Sequence, residues 1–467
     1  MKYIGVDLGS TFIKAVLLDL DNQKIVSQKK YRAPDKLKNT NLRKFEIPAG
    51  EFVKKVKALL DEYTRNYSDV EGMIISTQMH GFVYSLPDRN DIYISWQDMR
   101  CLDQMPGKKE SCLVLLEEMI SPADMSKNGV YLKPSLGICN LYALLNEEPA
   151  VPSNGTLYTL GSYVIHALTG KNICHITNAA PLGAVDLLKR RWDKELLEIL
   201  GIHRVEMPVL ADTDYQVCGI YEANGCKIKI YPDYGDMQVA MMGSGLGDGE
   251  VAVNVGTGAQ VISRDTLFRT GDYENRPYFE NSYLKTISNM PGGRNLDVLV
   301  NFLCETAEQI TGCEAESRRV WELVHAGDTD STGGLAVETG FYANPYFPDG
   351  GSVKGINQTN LHLNTLFRAA YIDMANTYWK YIRKLGKPAG EINKIIFSGG
   401  VSWKSPELIR IMAEITGKEC RLSPMEDEAL AGMYYLSLLC SGKCSETKEC
   451  IGYPLHLEKR GEPDAEE

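Results

Sequence analysis

The sequence has no run of apolar residues long enough to cross a membrane. Its longest apolar stretch is Ala429–Cys440, whereas a helix that spans a bilayer needs about 20 such residues. Asp7 interrupts the apolar N-terminal segment too early for a secretory signal peptide. We therefore expect a cytoplasmic protein that does not insert into a membrane.

The sequence also lacks the cysteine spacings of a disulfide scaffold or a zinc site. Its 12 cysteines are scattered over 467 residues, and no Cys-x-x-Cys pair occurs. Cys440, Cys444 and Cys450 form a cluster, but no histidine stands beside them at zinc-ligand spacing. Reduced thiols are the better interpretation, and a structural metal is the less favoured alternative.

The sequence contains fewer basic than acidic residues. The chain has 50 Lys and Arg against 61 Asp and Glu, which gives a net charge of −11. Non-specific binding to nucleic acid or to an anionic membrane needs clustered Lys and Arg, so neither partner is expected, although a local basic site stays open. The 44% hydrophobic and 24% charged residues are typical of a globular protein.

Two common nucleotide-binding motifs are absent. The chain has no Gly-x-x-x-x-Gly-Lys-Ser/Thr loop, and no Gly-x-Gly-x-x-Gly follows a strand. A phosphate site would need another device. Glycine turns between strands are one such device, because their backbone N–H groups can approach an anion closely. Taken alone, however, such turns are usually only turns.

Two segments about half a chain apart share one pattern. Residues 5–11 read GVDLGST and residues 252–258 read AVNVGTG. Each is an apolar strand followed by a glycine turn and further β-like residues, which predicts a β-hairpin. Two similar lobes are the simplest interpretation, with residues 1–247 and 248–467 meeting at the glycine-rich segment 243–249. Two unrelated hairpins are the alternative.

Strands and helices alternate along the rest of the chain, which predicts an α/β architecture. Phe52–Tyr63 and Leu361–Leu385 carry apolar residues at helical spacing. Lys394–Ser398 is an apolar strand. Ser405 is predicted to cap a helix that has Pro406 at its first position.

The two glycine turns, at residues 9–11 and 256–258, could hold a polyphosphate between the lobes, because each combines backbone donors with a Thr hydroxyl. Asp7 stands beside the first turn, where a carboxylate would repel phosphate unless a cation intervenes. Mg²⁺ suits this position, since it binds through one or two carboxylates plus phosphates. Asn254 stands at the equivalent place in the second lobe, so only the first lobe would supply the charge for the metal.

Four further segments place polar groups where a ligand could bind. QMH (78–80) follows a short strand, although a lone histidine is more often structural. WQDMR (96–100) sets an aromatic ring beside two charges and would suit a polyol, with a surface ion pair as the alternative. Asp236, in GDMQ, could be a general base or only a turn residue. SGGVS (398–402) could support a nucleoside or simply be a tight connection.

Together, and in this order, these segments resemble the FGGY family of carbohydrate kinases, and the resemblance covers nearly the whole chain. The segments that carry it are GVDLGSTFIKAVLLD (5–19), STQMHG (76–81), SWQDMRC (95–101), TNAA (177–180), GDMQ (235–238), NVGTG (254–258), GGRN (292–295), LFRAAYIDMANTYW (366–379), FSGGVSWKSP (397–406) and DEALAGMYYL (427–436). The resemblance implies two actin-like ATPase (ribonuclease H-like) lobes with a cleft between them. The N-terminal lobe would bind the sugar, and the C-terminal lobe would bind the nucleotide.

The resemblance also implies roles for individual residues. Asp236 matches the catalytic base, and Asp7 matches the acidic residue near Mg²⁺. The ATP site would comprise Ser10, Thr11 and Lys14 of the first loop, Gly256, Thr257 and Gly258 of the second, and the adenosine-binding residues Gly399 and Gly400. The sugar site would comprise Gln78, Met79, His80, Trp96, Asp98, Arg100 and Gln238.

The implied activity is ATP-dependent phosphorylation of the terminal primary hydroxyl of a ketose. Within the family, the WQD-x-RC form with QMHG is most similar to sedoheptulokinases, so sedoheptulose is the first hypothesis and pentuloses such as xylulose or ribulose are the alternatives. Met99, where relatives commonly have Gly, and residues 344–355, where relatives often have Gly-Glu-Arg, depart from the family pattern near the sugar and nucleotide sites.

Two other classes of function stay open. A non-catalytic sugar sensor on the same fold would not need Asp236, Asp7 and both phosphate loops. An actin-like assembly protein would not need the polar cluster at residues 96–100. The sequence has no signature of a subunit interface, and a homodimer is an option only because dimers are frequent in the family.

Overall fold

The structure is a computed structural model that describes residues 1–149, 151–327, 330–342, 347–387 and 389–457. Its strands are β1 Lys2–Leu8, β2 Phe12–Asp19, β3 Lys24–Arg32, β4 Glu46–Pro48, β5 Val70–Thr77, β6 Phe82–Ser85, β7 Ile92–Ile94, β8 Thr156–Tyr158, β9 Ile173–Cys174, β10 Val185–Asp186, β11 Arg191–Trp192, β12 Val209–Leu210, β13 Gly219–Ala223, β14 Cys226–Gly235, β15 Glu250–Val255, β16 Ala259–Asp265, β17 Glu274–Pro277, β18 Tyr283–Met290, β19 Ala336–Glu338, β20 Ser352–Lys354, β21 Lys394–Ser398, β22 Glu419–Leu422 and β23 His456–Leu457.

The α-helices alternate with these strands, so the predicted α/β architecture is confirmed. They are α1 Ala49–Asn66, α2 Cys112–Met119, α3 Pro122–Ser126, α4 Gly137–Leu145, α5 Leu160–Thr169, α6 Ile176–Ala179, α7 Lys194–Ile199, α8 Asp236–Gly243, α9 Gly293–Thr311, α10 Ser317–Ala326, α11 Leu363–Ile382, α12 Gly400–Lys404, α13 Pro406–Thr416, α14 Glu428–Cys440 and α15 Thr447–Cys450. Within the described ranges, no helix has the length and apolarity needed to cross a membrane.

Each half of the chain builds one large sheet around a hairpin. In the first half, β1 pairs antiparallel with β2 and parallel with β5, within the order β13-β14-β5-β1-β2-β3-β23. In the second half, β15 pairs antiparallel with β16 and parallel with β21, within the order β17-β18-β16-β15-β21-β22. Both predicted hairpins and their common design are therefore confirmed.

Helices α8 and α14 join the two sheets through a shared apolar core. Buried side chains of both sheets and both helices form one cluster, which includes Tyr3, Ile262, Val239 and Tyr434. Glycines let the two helices approach closely, since an added Cβ at Gly243 would lie 1.9 Å from the carbonyl oxygen of Glu428. The cleft between the lobes is thereby built on a closely packed helix pair.

The C-terminal half of the chain also contributes to the first sheet. The short strand β23 pairs with β3, and α14 packs in the core that the two sheets share. Apart from β23, the first sheet is built from strands before residue 247 and the second from strands after it. β23 and α14, which lie late in the sequence, nevertheless pack on the first sheet. The division into lobes 1–247 and 248–467 remains a prediction.

The apolar periodicity located the helices well. In α1, Phe52, Val56, Leu59 and Leu60 are buried against the first sheet. Each such side chain contributes about 1.5–3 kcal/mol when it leaves water. Helix α11 is followed by one turn of 3₁₀-helix, Arg383–Leu385, which is capped by Gly386 with a φ of 78°.

Helix α13 begins where the sequence predicted, but Ser405 does not cap it in the predicted way. Pro406 does begin the helix, and Ser405 is at the N-cap position, but the Ser405 side chain makes no capping hydrogen bond. Its ψ is 66°, whereas the capping Ser111 of α2 has a ψ of 160°. The Ser405 hydroxyl oxygen instead lies 3.4 Å from the hydroxyl of Tyr371.

Some predictions fall outside the described residues. They concern the start of the segment that departs from the family pattern, residues 344–346. The remainder of the departing segment contains β20, which pairs antiparallel with β19.

Candidate active site

Asp7 lies near the carboxyl end of β1, beside the first glycine turn. Its Oδ1 accepts a hydrogen bond from the hydroxyl of Ser76 on β5 at 3.0 Å. Burial raises the pKa of Asp7 to about 6, against the opposing effects of Ser76 and Lys14. Ser10 and Thr11 form the exposed tip of the turn, so their hydroxyl and amide groups are open to a ligand.

Lys14 extends from β2 towards the start of α14. Its Nζ lies 2.8 Å from Oδ2 of Asp427, and Oδ1 of Asp427 accepts from the backbone N–H of Leu430 to cap α14. Burial acts to lower the pKa of Lys14, but the Asp427 carboxylate outweighs it and the pKa is raised. The ammonium group is therefore charged and fixed near the first turn.

Asn254 occupies the position in β15 that Asp7 occupies in β1. Asn254 stands opposite Ser398 of β21, as Asp7 stands opposite Ser76 of β5. The Asn254 Nδ2 donates to the Ser398 hydroxyl oxygen at 2.9 Å. The two halves that share a sequence pattern thus also share a side-chain contact, in which Asn254 provides an amide where Asp7 provides a carboxylate.

The second glycine turn is held against the N-terminus of α9. The N–H of Gly293 donates to the carbonyl of Gly256 at 2.8 Å, and the N–H of Arg294 donates to the carbonyl of Thr257 at 3.0 Å. An added Cβ at Gly256 or Gly258 would have its nearest neighbour 3.8 Å away. These two glycines therefore face open space, where a ligand could approach the backbone.

A cavity of about 540 Å³ opens beside this turn. Its lining includes the turn itself and the first turn of α9, together with parts of α10 and α12: Gly256, Thr257, Gly293, Arg294, Leu296, Asp297, Ser317, Arg318, Trp321, His325, Val401, Lys404 and Ser405. The volume is in the range of a small-molecule site. The cationic and aromatic side chains of the lining can accommodate a phosphorylated ligand with a planar ring.

The two glycines after β21 differ from each other. Gly399 has a φ of 84°, and its added Cβ would lie 2.6 Å from the carbonyl oxygen of Val255, so the fold requires glycine there. An added Cβ at Gly400 would meet nothing within 4 Å. Gly400 immediately precedes Val401, which lines the cavity. Of these two glycines, Gly400 alone has open space where a ligand could contact its backbone.

Asp236 is the first residue of α8, directly after β14. Its Oδ1 accepts from the N–H of Met237 at 2.7 Å. Burial and the neighbouring Asp7 raise the pKa of Asp236 to about 7, while the Met237 N–H and Arg276 act in the opposite direction. The two carboxylates, Asp7 and Asp236, are thus close enough to influence one another.

The peptide before Asp236 is held by a chain of hydrogen bonds that includes the TNAA segment. The N–H of Gly235 donates to the hydroxyl oxygen of Thr177 at 3.1 Å. That oxygen lies 2.7 Å from Nδ1 of His175, and Nε2 of His175 lies 3.1 Å from Oδ1 of Asp214. This network fixes the direction in which α8 presents its first carboxylate.

Three of the predicted sugar-site residues have buried polar atoms without a partner. Within the described ranges, the Nε2 and Oε1 of Gln78, the Nδ1 of His80 and the Oε1 of Gln238 lack a hydrogen bond. An added Cβ at Gly235 would lie 2.4 Å from the Oε1 of Gln238 and 2.7 Å from the sulfur of Met79. A buried amide without a hydrogen bond lowers the stability of the folded state. The amides of Gln78 and Gln238 lie near the start of α8, where a ligand could supply the missing partners.

His80 and Trp96 sit in different surroundings. His80 has a φ of 68°, and its pKa is lowered well below the usual range by burial and by the cations Lys133 and Arg276. It is therefore a neutral imidazole. Trp96 is 38% exposed, so its ring is accessible from solvent.

The prediction that Asp98 and Arg100 contact the sugar directly does not fit their placement. Asp98 has no exposed surface, and Arg100 is 2% exposed. Arg100 donates to both carboxylate oxygens of Asp98, at 2.9 and 2.8 Å, and also pairs with Glu46 and Glu147. Because these charges are already satisfied within the protein, the pair supports the segment that carries Trp96.

Three charged residues that the sequence did not point to act on the proposed sugar site: Arg276 on both Asp236 and His80, and Lys133 and Glu274 on His80. Glu274 and Arg276 are on β17, and Lys133 comes from the loop before α4. Glu274 accepts from Nη2 of Arg276 at 2.9 Å and forms an ion pair with Lys133. Burial would raise the pKa of Glu274, but the two cations lower it to about 2. These residues belong to no motif, and their segments resemble ordinary surface sequence.

The residues near Asp7 fit a magnesium ion. Within the described ranges, no group of three or more His, Cys, Asp or Glu side chains could hold a metal. Mg²⁺ does not need such a cage, since one or two carboxylates and the phosphates of a ligand are sufficient. The raised pKa values of Asp7 and Asp236 show that the site disfavours two unneutralised charges, which a cation would relieve.

Comparisons with known proteins agree with this geometry. Residues 2–252 match the N-terminal domain of the FGGY family of carbohydrate kinases. The glycerol kinase of Staphylococcus epidermidis is 24% identical over 100% of this chain and 95% of its own length. Two solved structures share the fold: a xylulose kinase from Lactobacillus acidophilus, with a TM-score of 0.78, 20% identity and coverage of 97% of this chain and 92% of that one, and a Plasmodium falciparum glycerol kinase with ADP, with a TM-score of 0.79, 16% identity and coverage of 97% and 92%.

These relatives confirm the predicted family and the predicted two-lobed actin-like fold. They carry the names glycerol kinase and xylulose kinase, so sedoheptulokinase as the nearest type is not confirmed. The match over residues 2–252 is more than half of the 467-residue chain, and the chain therefore belongs to the FGGY family of carbohydrate kinases, which transfer phosphate from ATP to a sugar.

Proposed function

We propose that this kinase phosphorylates the terminal primary hydroxyl of a ketose, with Asp236 as the general base and Mg-ATP as the donor. The observation that carries the proposal is the position of Asp236. It begins α8, lies close enough to Asp7 for the two charges to interact, and has a pKa raised to about 7. A general base works best when its pKa is near the operating pH.

In the proposed reaction, the deprotonated Asp236 accepts the proton of the sugar hydroxyl. The hydroxyl oxygen then forms a bond to the γ-phosphorus, and the bond from that phosphorus to the bridging oxygen of ADP breaks. The network from Asp214 through His175 and Thr177 orients the carboxylate for this step. Catalysis depends mainly on positioning and on electrostatic stabilisation.

The proposed nucleotide site combines both glycine turns. The backbone of residues 256–258 and the tip residues Ser10 and Thr11 would donate to the phosphates, with Lys14 close to the first turn. The cavity that begins at Val401 would accept the nucleoside. Mg²⁺, held by Asp7 and the phosphates, would neutralise charge on the transferred group.

The proposed sugar site is the set of unsatisfied polar atoms around Asp236. The amides of Gln78 and Gln238 offer both donors and acceptors, as a polyol requires. Met79 packs at the same junction, while His80 and the accessible Trp96 complete the proposed contacts. Sedoheptulose remains the first hypothesis for the substrate.

A pentulose is the second candidate, because the chain has the fold of solved proteins named xylulose kinase. The two candidates differ by the number of hydroxyl-bearing carbons. Buried amides that pair with one sugar would be left unpaired with the other, which would appear as a difference in kcat/KM.

A coupled ADP-release assay tests the proposal. Sedoheptulose, D-xylulose, D-ribulose, D-fructose and glycerol would be compared with Mg-ATP, using the wild type and Asp236→Asn. We expect turnover of one ketose and a loss of about 10²–10⁴-fold in the variant. Unchanged ADP binding, measured by calorimetry, would show that the variant is folded.

The outcomes separate the parts of the proposal. Turnover of a pentulose alone would replace sedoheptulose and keep the mechanism. Turnover of glycerol alone would reject the ketose assignment. Full activity of Asp236→Asn would reject the base, and absence of sugar-dependent turnover would favour a sensor.

A further inference from the structure

Arg276 is a buried guanidinium whose donors are only partly used. The residue is 8% exposed. Its Nη2 donates to Glu274 at 2.9 Å, but its Nη1 faces the sulfur of Met237 at 3.1 Å, and a thioether is a weak acceptor. Its Nε has no partner within the described ranges. A buried charged donor without an acceptor is costly, so this arrangement indicates a ligand oxygen.

The position of Arg276 is inside the proposed sugar site. Met237, which it contacts, directly follows Asp236. The positive charge of Arg276 acts on the pKa of both Asp236 and His80. Arg276 therefore lies within electrostatic reach of the base and of a predicted sugar contact.

Contacts with the first half of the chain fix β17, the strand that carries Arg276. The N–H of Asn275 donates to the carbonyl of Gly129 at 2.8 Å, and the hydroxyl of Tyr131 donates to the carbonyl of Gly271 at 2.7 Å. The ion pair between Lys133 and Glu274 lies next to these bonds. Arg276 thus reaches the sugar site from the second half of the chain on a strand anchored to the first.

The charges of Arg276 and of the residues that interact with it balance, and Asp7, the next acid, would be neutralised by the proposed Mg²⁺. Lys133 and Arg276 are cations, while Glu274 and Asp236 are acids, and His80 is neutral. A neutral polyol would leave that balance unchanged, whereas a sugar acid would add an uncompensated negative charge beside Asp236. Sugar hydroxyls can still satisfy the free donors of Arg276.

We propose that Arg276 is a specificity-determining residue that donates hydrogen bonds to a sugar oxygen, and that its pairing with Glu274 and Lys133 selects a neutral polyol over a sugar acid. The proposal rests on the proposed function, because it concerns the same site. It adds a substrate contact from the C-terminal half, which the division into a sugar lobe and a nucleotide lobe did not include.

The first test is Arg276→Gln on the sugar that the wild type prefers. We expect KM for the sugar to rise about 30- to 100-fold, because a charge-assisted hydrogen bond is lost, with a smaller change in KM for ATP. Arg264→Gln is the matched control, since Arg264 lies in the same sheet and forms ion pairs with Glu280 at 2.9 Å and with Asp248 at 3.9 Å. An unchanged sugar KM in Arg276→Gln would reject the contact.

The second test removes one negative charge. Glu274→Gln keeps an acceptor for Arg276 but leaves the two cations in excess. We expect the ratio of kcat/KM for D-gluconate to that for the preferred neutral sugar to rise at least tenfold, with no such change in the matched control Glu280→Gln. A constant ratio would overturn the charge-balance argument. Thermal unfolding and ADP binding verify that each variant folds.

The results distinguish this inference from the proposed function. If the wild type prefers glycerol and Arg276→Gln raises the KM for glycerol, the ketose assignment fails and the inference stands. If a ketose is phosphorylated with an unchanged KM in the variant, the function stands and the inference fails. If the wild type prefers D-gluconate, both fail.

Discussion

The two glycine turns of this kinase have the same position in their sheets but different chemistry. Asp7 and Ser76 face each other on one pair of parallel strands, and Asn254 and Ser398 face each other on the other. Both pairs are hydrogen-bonded, at 3.0 and 2.9 Å. The repeated fold therefore supplies two similar scaffolds, and the change from carboxylate to amide leaves a negative charge at this strand position in the first turn only.

The glycines of the two turns also serve different purposes. An added Cβ at Gly9 would lie 2.8 Å from the carbonyl oxygen of Phe12 in the same turn. At Gly256 the nearest atom would be 3.8 Å away. The first glycine is required by the turn itself, whereas the second leaves space that a phosphate could occupy.

Among changes to the two turns, making the first chemically like the second should have the largest effect. Asp7→Asn keeps a carbonyl oxygen that can accept from Ser76 but removes the charge. We expect kcat at saturating ATP to fall about 10²–10³-fold, since one electrostatic contact near the transferred group is lost. Steady-state kinetics over a range of Mg²⁺ concentrations measures this.

The reciprocal variant completes this prediction. Asn254→Asp adds a carboxylate beside the second turn, and we expect a higher KM for ATP because phosphate is repelled. If Asp7→Asn retains the wild-type kcat, the difference between the turns has no catalytic meaning.

The pH dependence should also depend on which turn carries the carboxylate, because Asp7 of the first turn acts on Asp236 and the second turn has the amide Asn254 at that position. The pKa of Asp236 is about 7, and the base must be deprotonated, so kcat/KM should rise about tenfold per pH unit up to that value and then level off. Asp7 contributes to this raised pKa. In Asp7→Asn the rising limb should therefore move to lower pH, as a profile from pH 5 to 9 would show. A rising limb at the same pH in both proteins would contradict a coupling between the two carboxylates.

A smaller effect should separate the two glycines. Gly256→Ala should fold normally, because its Cβ meets no protein atom closer than 3.8 Å, yet it should raise KM for ATP by about tenfold, equivalent to about 1.4 kcal/mol of binding. Gly9→Ala should instead lower the melting temperature, because its Cβ would contact the Phe12 carbonyl. Calorimetric ADP binding and thermal unfolding of both variants test this. If Gly256→Ala and Gly9→Ala lowered the melting temperature equally, the two glycines would not differ in the way proposed.

The sequence predicted the scaffold better than the site. The hairpins, the strand Lys394–Ser398 and the buried stripe of α1 follow from local periodicity and turn residues, which the sequence displays directly. Asp98 and Arg100 were harder to assign, because an exposed polar cluster and a buried, fully paired one have the same composition. Arg276 and Lys133 had no local signal, since only the folding of β17 against a distant loop brings Arg276 to Asp236 and Lys133 to His80.

The smallest expected effect concerns stability. The pKa of Asp236 is raised to about 7 in the folded state from its usual value of 3.8. Between these values the folded state binds a proton that the unfolded state has released, so the free energy of unfolding decreases as the pH rises through this window. Asn is neutral throughout, and Asp236→Asn should therefore melt about 2 °C or more above the wild type at pH 8, with the difference vanishing towards pH 4.

Thermal unfolding without nucleotide or Mg²⁺ measures this stability difference, and the second turn provides the control. Asn254 carries no titrating group, so Asn254→Gln should alter the melting temperature by the same amount at both pH values. A wild type that is as stable as Asp236→Asn at pH 8 would mean that the charge of Asp236 is not costly in the free protein. The carboxylates of the first turn and of α8 destabilise the empty cleft at neutral pH, and binding of a cation with its nucleotide would relieve that cost. The amide of the second turn has no such cost, so the coupling between ligand binding and stability arises from the acidic side of the cleft.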